Sequence, residues 1–353
     1  MPTRTALRHV GPGNVAVDNC PVPKPGPGEV LIKVAAVALN PIDWKMMYRQ
    51  ALAEPTILGC DFAGVVQCLG DHVDRLQVGD RVAGMIQGGN TLRPDDGAFA
   101  DYLVAQAHIL VRLPPNILFE EGSTLPTALF TAGFCLYRHL SFPHPQESGE
   151  AQSVLPVLFI YGGGTAIGSM QIQLAKLSGL YVISTSSPDS FDFVKQCGAD
   201  EVFDYRDPLC AQHIIKASGG KRLATVDCIS NNVSSAICAA AMEPKGGIYI
   251  ACTRSSPDIE NPTVKTIRIV AFTVLGRPFS LDAQGPIFPI VLEDVKFASD
   301  FVSRAERLLR DNKIQPIQAS VRDGGLTAIA EGLVDLKLGT VSRARLVYPI
   351  HSC

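Results

Sequence analysis

The sequence predicts an α/β protein of two domains, a β-rich one with a closed or sandwich sheet and one built on a doubly wound parallel sheet. Three observations lead there. The N-terminal third is a series of short strands punctuated by Gly and Pro. From Leu155 onward, continuous apolar strands alternate with helical stretches. And 353 residues exceed one small core and suit two domains of ordinary size.

In chain order, PVPKPGPGEV is a turn region leading into the alternating run Val30 to Val37, which reads as a strand. GCDFAGVVQCLG, VGDRVAGMI and GAFADYLVAQAHILVRLP are further β segments, and FEEGSTLPTALFTAGFCLYRHL reads as one or two helices. SFPHPQESGEAQSVLP is polar and Pro-rich and reads as a loop into a new domain. Then come VLFIY, LYVISTSS, EVFDY, TVDCIS and GGIYIACT as strands, separated by helices, with IRIVAFTVLG as one more strand. DVKFASDFVSRAERLLRDN is a helix, and short pieces ending in RARLVYPI return to the first domain. The expected boundaries are 1–150, 151–285 and a return over 286–353.

Composition excludes several functions. A net charge of -3 with no basic run gives no sign of a nucleic-acid partner. No apolar stretch is long enough to span a bilayer and the first residues lack a secretory core, so the cytoplasm is the expected compartment. The ten cysteines are scattered without a CxxC pair, which reads as buried thiols and not a disulfide frame. The seven histidines are also spread out, so neither a catalytic nor a structural zinc site is expected.

The strongest chemical signal is Tyr161-Gly162-Gly163-Gly164-Thr165-Ala166-Ile167-Gly168, lying between a buried strand and a helix. Glycines there let the backbone turn tightly and approach a pyrophosphate, whose charge meets the helix N-terminus. Such a string is weak alone, but here it opens a run of strand-helix units. It predicts a Rossmann domain. NAD sites place an acid at the tip of the second strand. This strand ends in Ser184 to Ser187, whose hydroxyls suit a 2′-phosphate, and the reading favours NADPH. Asp189, slightly beyond, is either a competing ribose ligand or the N-cap of the next helix. Tyr205 and Arg206 end the third strand and could reach the same phosphate.

These motifs together resemble the medium-chain dehydrogenase/reductase superfamily over nearly the whole chain, with a GroES-like β domain, a Rossmann domain and a C-terminal return. GCDFAGVV is similar to the segment in which zinc members carry Gly-His-Glu, with Cys60-Asp61 in place of His-Glu. Asn40 to Lys45 stands where they carry their first Cys ligand. The pattern resembles the zinc-free branch. NPIDWK, DDGAFADY, LPTALFTAGFCLY, YGGGTAIG, SSPDSFD, EVFDYRDP and VDCIS further resemble the fungal trans-acting enoyl reductases that serve iterative polyketide synthases.

The resemblance implies NADPH-dependent reduction of an α,β-unsaturated acyl thioester held on a synthase carrier domain, by a monomer in preference to the homodimer common among zinc-free relatives. It implies that Ile42, Asp43, Trp44 and Lys45 flank the nicotinamide end, and that Gly163, Gly164, Thr165, Ala166 and Ile167 hold the pyrophosphate. Ser187, Pro188, Asp189, Ser190 and Tyr205 would hold the 2′-phosphate. Cys252 and Thr253 would contact the nicotinamide half, and Ser342 and Arg343 would close over the cofactor. Thr131, Ala132, Gly133 and Phe134, with Ala271, Phe272, Thr273, Val274 and Leu275, would line the acyl pocket. Two positions depart from the family: Arg343 stands where a glycine is common, and Ile42 where relatives carry a hydroxyl.

Reduction of an enoyl thioester needs a donor at the thioester oxygen and a proton at the α-carbon. Lys45 and Thr131 are the candidates for polarising or anchoring the substrate, set against a surface lysine and a packed helical threonine. Tyr48 reads better as a packing aromatic than as a proton donor. Arg304, Arg307 and Arg310 share a helix face, which is a carrier-docking patch or, more simply, a solvated one. Two other functions fit the same features: a reductase of free quinones or small enones, and a non-reducing scaffold that binds or shapes a polyketide.

Overall fold

The computed structural model describes residues 2–50, 55–145, 156–243, 245–253 and 256–350. Most of the polar loop expected before the second domain, and Cys353, lie outside the described residues. The chain forms two compact units, Met1–Thr127 with Phe272–Cys353, and Ala128–Ala271.

The first unit is built around the strand Glu29–Ala38, whose inward residues Val30, Ile32 and Val34 are at most 1% exposed while their neighbours are half-buried. Burying each such side chain contributes roughly 1.5–3 kcal/mol, which fixes the register. The strand lies inside a seven-stranded sheet, flanked by Arg345–Pro349 and Asp61–Leu69, and also pairs with Tyr102–Gln106. Beyond Asp61–Leu69 follow Arg81–Met85 and Val111–Arg112, and beyond Arg345–Pro349 lies Ala319–Val321. A second, three-stranded sheet joins Asn14–Pro21, Thr3–Gly11 and Thr56–Ile57. Asn14–Pro21 is almost wholly exposed apart from Cys20, so its strand leaves no apolar alternation to read.

The second unit holds a six-stranded, all-parallel sheet in the order Glu201–Asp204, Tyr181–Ser186, Val157–Tyr161, Leu223–Asp227, Gly247–Ala251, Val264–Arg268. The chain starts in the middle, runs out to one edge, then crosses to the other side. Strand order therefore reverses between Val157–Tyr161 and Leu223–Asp227, the point at which doubly wound sheets bind ligands. This is the Rossmann arrangement.

Where the units divide differs from the boundaries drawn from composition. The helix Pro126–Gly133 and the π-helical turn Phe134–His139 precede the polar loop. Yet the Tyr137 hydroxyl meets Ser178 Oγ at 3.1 Å and the Leu174 carbonyl at 3.4 Å, at the end of the helix Ala166–Leu177. That packing places Ala128 onward in the second unit. At the other end, His108 meets the Val274 carbonyl at 2.9 Å and Thr273 donates to Asp294 at 2.7 Å, so the chain rejoins the first unit at Phe272 and not near 285. IRIVAFTVLG is likewise not one strand. The strand is Val264–Arg268, and Ala271–Leu275 is a 3-10 turn.

All nine described cysteines are free; Cys20, Cys60, Cys135, Cys210 and Cys238 are buried as expected, whereas Cys68 is exposed and Cys197, Cys228 and Cys252 are only partly covered. Among the described residues, no helix is long and apolar enough to cross a membrane.

Candidate functional site

In the second unit, the elbow after Val157–Tyr161 is held from three sides. Gly162 sits at φ 86°, a left-handed value that favours glycine. Its amide donates to Thr185 Oγ1 at 3.1 Å, and the Gly163 amide to the Thr185 carbonyl at 2.9 Å. Thr165 caps the helix Ala166–Leu177: its Oγ1 donates to the Gly162 carbonyl at 2.8 Å and accepts from the Gly168 amide at 3.0 Å. A Cβ on Gly163 would lie 2.2 Å from Ser184 Oγ, and one on Gly168 2.2 Å from the Gly162 carbonyl. A Cβ on Gly164 would meet nothing closer than 3.5 Å.

The amides of Gly164, Ala166 and Ile167 have no hydrogen-bond partner among the described residues, and all three residues are partly exposed. Unsatisfied donors at a helix N-terminus, reinforced by the helix dipole, form an anion site. The predicted Gly163 to Ile167 segment thus has the geometry a pyrophosphate fits.

Next to the elbow, Ser186 and Asp204 are register partners at the ends of adjacent strands. The residues that follow them, Ser187 and Tyr205, therefore emerge side by side. Ser187 Oγ lies 3.4 Å from Ser190 Oγ. Pro188–Ser190 is a 3-10 turn, and the N-cap of the helix Phe191–Gln196 is Ser190, so Asp189 does not cap it. The Tyr205 ring lies 6.1 Å from that of Tyr161, and the exposed Arg206 guanidinium 5.6 Å over Tyr205, tied at 3.0 Å to Asp204. Hydroxyls and a guanidinium donate to a phosphate, and an aromatic face can stack on a base.

On the other side of the reversal point stands Asp227, which the sequence reading passed over. It is fully buried and accepts from Ser234 Oγ at 2.6 Å, Tyr249 OH at 2.8 Å and the amides of Ile229 and Ser230 at 2.9 and 2.7 Å. Through Ser230, whose hydroxyl receives the Cys252 amide at 2.9 Å, it shapes the Cys252-Thr253 turn. Asp227 and Ala251 are register partners, so Cys228 and Cys252 follow them side by side. Hydrogen bonding from the Cys135 and Cys228 thiols holds the Cys252 thiol below the ordinary range. A strand-terminal Asp followed by Cys, with Ser at +3 and +7, was the signal available.

In the first unit, Asn40 precedes the short helix Pro41–Met47, which carries Ile42, Asp43, Trp44 and Lys45. Asp43 turns inward, fully buried, and accepts from the Asn40 amide at 2.7 Å. Lys45 is exposed, its ammonium 5.8 Å from the Trp44 ring. Beneath the helix, Asp61 accepts from Arg345 at 2.6 Å, Asn40 Nδ2 at 3.1 Å, and the amide and hydroxyl of Thr127 at 2.9 and 2.6 Å. Arg345 also donates to the carbonyls of Thr124 at 2.7 Å and Leu39 at 3.0 Å. Burial pushes the Asp43 carboxyl up to about 7, helped by the neighbouring Asp61 charge and opposed by hydrogen bonds from Asn40 and Cys60 and by the Arg345 charge. Burial likewise pushes the Cys60 thiol well up.

These residues do not fit a metal ion. The Asp61 carboxylate is saturated by a guanidinium and three other donors, so a protein cation already fills that role. Among the described residues, no group of three or more His, Cys, Asp or Glu side chains is arranged to hold a metal.

The other predicted positions lie as follows. Thr131 is 3% exposed in the helix Pro126–Gly133, with no hydrogen-bond partner for its hydroxyl among the described residues; Ala132 and Phe134 are core residues. In Ala271–Leu275, Val274 is fully buried and the Thr273 hydroxyl is spent on Asp294, while Leu275 lines a small pocket with Met85, Ile86 and Phe279. Ser342 and Arg343 are exposed, and Arg343 takes φ 59°, the left-handed value that explains a glycine elsewhere. The Tyr48 ring packs under the Lys337 ammonium at 3.4 Å, as a packing aromatic does. Arg345 was hidden within RARLVYPI, an ordinary edge-to-core strand by pattern.

The family described as alcohol dehydrogenase GroES-like domain matches residues 26–115, and that described as zinc-binding dehydrogenase matches 166–279. Trans-enoyl reductase ACTTS2 of Alternaria alternata is 41% identical over 352 residues, covering 99% of this chain and 100% of its own. Trans-enoyl reductase RAP2 of Pyricularia oryzae is 36% identical over 353 residues, covering 99% and 98%. Among solved structures, an alcohol dehydrogenase superfamily protein from Novosphingobium aromaticivorans superposes with a TM-score of 0.79 at 22% identity, covering 99% of this chain and 100% of that one. The enoyl reductase CurK gives 0.75 at 17%, covering 99% of each. These two share the fold. With 36–41% identity to fungal relatives over nearly its full length, a GroES-like domain and a parallel-sheet domain, the chain belongs to the trans-enoyl reductases of the medium-chain dehydrogenase/reductase fold.

Proposed function

We propose that this chain is an NADPH-dependent enoyl reductase that reduces an α,β-unsaturated polyketide thioester carried by the acyl carrier domain of a partner polyketide synthase, acting as a monomer in the cytoplasm. The observation that carries the reading is the trio of unpaired amides at Gly164, Ala166 and Ile167, aimed out of an elbow at the reversal point of a parallel sheet. Their donors suit the pyrophosphate of a dinucleotide. Ser187, Ser190, Tyr205 and Arg206, with Pro188 and Asp189 in the same turn, would receive the 2′-phosphate.

When bound, the reduced nicotinamide supplies a hydride to the β-carbon of the enoyl group. The chain supplies position. Ile42 to Lys45, Cys252, Thr253, Ser342 and Arg343 would frame the cofactor. Thr131 to Phe134 and Ala271 to Leu275 would surround the acyl chain. Thr131, whose hydroxyl has no hydrogen-bond partner among the described residues, and the exposed Lys45 ammonium would steady the thioester oxygen as negative charge develops there.

The test is NADPH oxidation with an enoyl-pantetheine thioester, with a simple quinone, and with neither. Turnover of the thioester supports the reading. Turnover of quinones alone would make this a reductase of free substrates, and NADPH binding without any turnover would make it a scaffold.

A further inference from the structure

Two buried carboxyls, Asp43 and Asp61, feel one guanidinium in the first unit, and only Asp61 is bonded to it. Asp61 takes Arg345 together with three more donors. Asp43 is left with the Asn40 amide and the Cys60 thiol. A buried carboxylate with so few donors is poorly compensated, so its proton is held against a small difference in free energy. Its one backbone partner is the residue that starts the helix Pro41–Met47.

We propose that Asp43 is a positioning residue whose ionisation tightens the Asn40 turn, sets the helix that carries Ile42 and Lys45, and so couples cofactor binding to pH. A carboxylate accepts from an amide more strongly than a carboxylic acid does. Ionisation therefore draws the Asn40 amide in, and protonation relaxes it. Charged and titratable groups face Asp43 from the neighbouring elements: Cys60 and Asp61 from the adjoining strand, and Arg345 from the C-terminal strand. At the far end of the helix His9 faces the Met47 and Arg49 backbone, its imidazole held down by burial, and Lys337 covers Tyr48.

The titration itself is independent of the chemistry; its effect on catalysis rests on the NADPH reading above. Trp44, the single tryptophan of the chain, adjoins Asp43 and reports on this helix alone. In the cofactor-free protein, Trp44 emission should follow one proton with a midpoint near pH 7, and Asp43→Asn should abolish the transition. In turnover, kcat/KM for NADPH should rise about fivefold from about pH 6 to about pH 8 in the wild type and less than about twofold in Asp43→Asn. Should Asp43→Asn fail to fold, Cys60→Ala, which removes a donor to the carboxylate, must move the midpoint upward. A Trp44 signal that is flat with pH, that persists in Asp43→Asn, or that ignores Cys60→Ala overturns the inference while NADPH binding stands. A normal Trp44 titration with no NADPH binding at either pH overturns the coupling and the reductase reading together.

Discussion

Arg345 Nη1 lies 2.6 Å from Asp61 Oδ2 with the two side chains 5% and 0% exposed, so the last strand of the chain is pinned by charge beneath the helix Pro41–Met47. A pair sealed in this way is weak evidence for net stability, because desolvation offsets most of the attraction. Breaking it is a different matter. Arg345→Met should leave Asp61 charged and buried, and should cost about 3–5 kcal/mol. Urea unfolding checks this. Asp61→Asn added to Arg345→Met should recover part of the loss, and a loss below about 1 kcal/mol for Arg345→Met alone would show the pair to be incidental.

The elbow glycines should separate folding from binding. Gly168→Ala puts a methyl against the Gly162 carbonyl and should cost about 1–3 kcal/mol of stability. Gly164→Ala has room in the bare protein and should change stability by less than about 1 kcal/mol. It should nevertheless weaken NADPH binding by at least about tenfold, since its methyl would stand among the three unpaired amides. Thermal melts and cofactor titration by calorimetry read the two effects. Equal NADPH affinity in Gly164→Ala would move the anion site elsewhere.

Asp43 also makes stability depend on pH. Its folded carboxyl is raised from 3.8 to about 7. Between those values the folded chain holds a proton that the unfolded chain has released, so stability falls as pH rises and levels off above about 7. Relative to Asp43→Asn, which cannot ionise, the wild type should lose about 1–3 kcal/mol between about pH 5 and about pH 8. Chemical denaturation of both proteins across that range measures it. A constant difference would mean that Asp43 ionises in the fold as readily as in the unfolded chain.

Arg206 should set the choice of nucleotide. Its guanidinium is exposed, lies over the Tyr205 ring and is tied to Asp204, on the strand beside Ser186. Arg206→Ala should weaken NADPH about tenfold while leaving NADH within about twofold, because only NADPH carries the 2′-phosphate. Equal losses for both nucleotides would point to a contact with the part they share.

The elbow, the alternation of buried strands and helices, and the segments matched to the family were legible from the residues alone. They depend on local rules: a glycine needs no Cβ where backbones meet, and an apolar run seeks cover on both faces. The division into units escaped because Tyr137 finds Ser178 across about forty residues of chain, and no local pattern records that. By pattern Asp227 is one more residue of a strand, and only the folded sheet gathers Ser230, Ser234 and Tyr249 around it.

By itself the sequence determined the two-domain plan, the phosphate-binding elbow and the replacement of His-Glu by Cys60-Asp61. Only tertiary structure decided that Arg345, hundreds of residues away, takes Asp61 as its partner and leaves Asp43 the undercompensated carboxyl. The physical reason is that backbone preference acts over a few residues, whereas the cost of a buried charge is set by whatever donors the fold brings within reach.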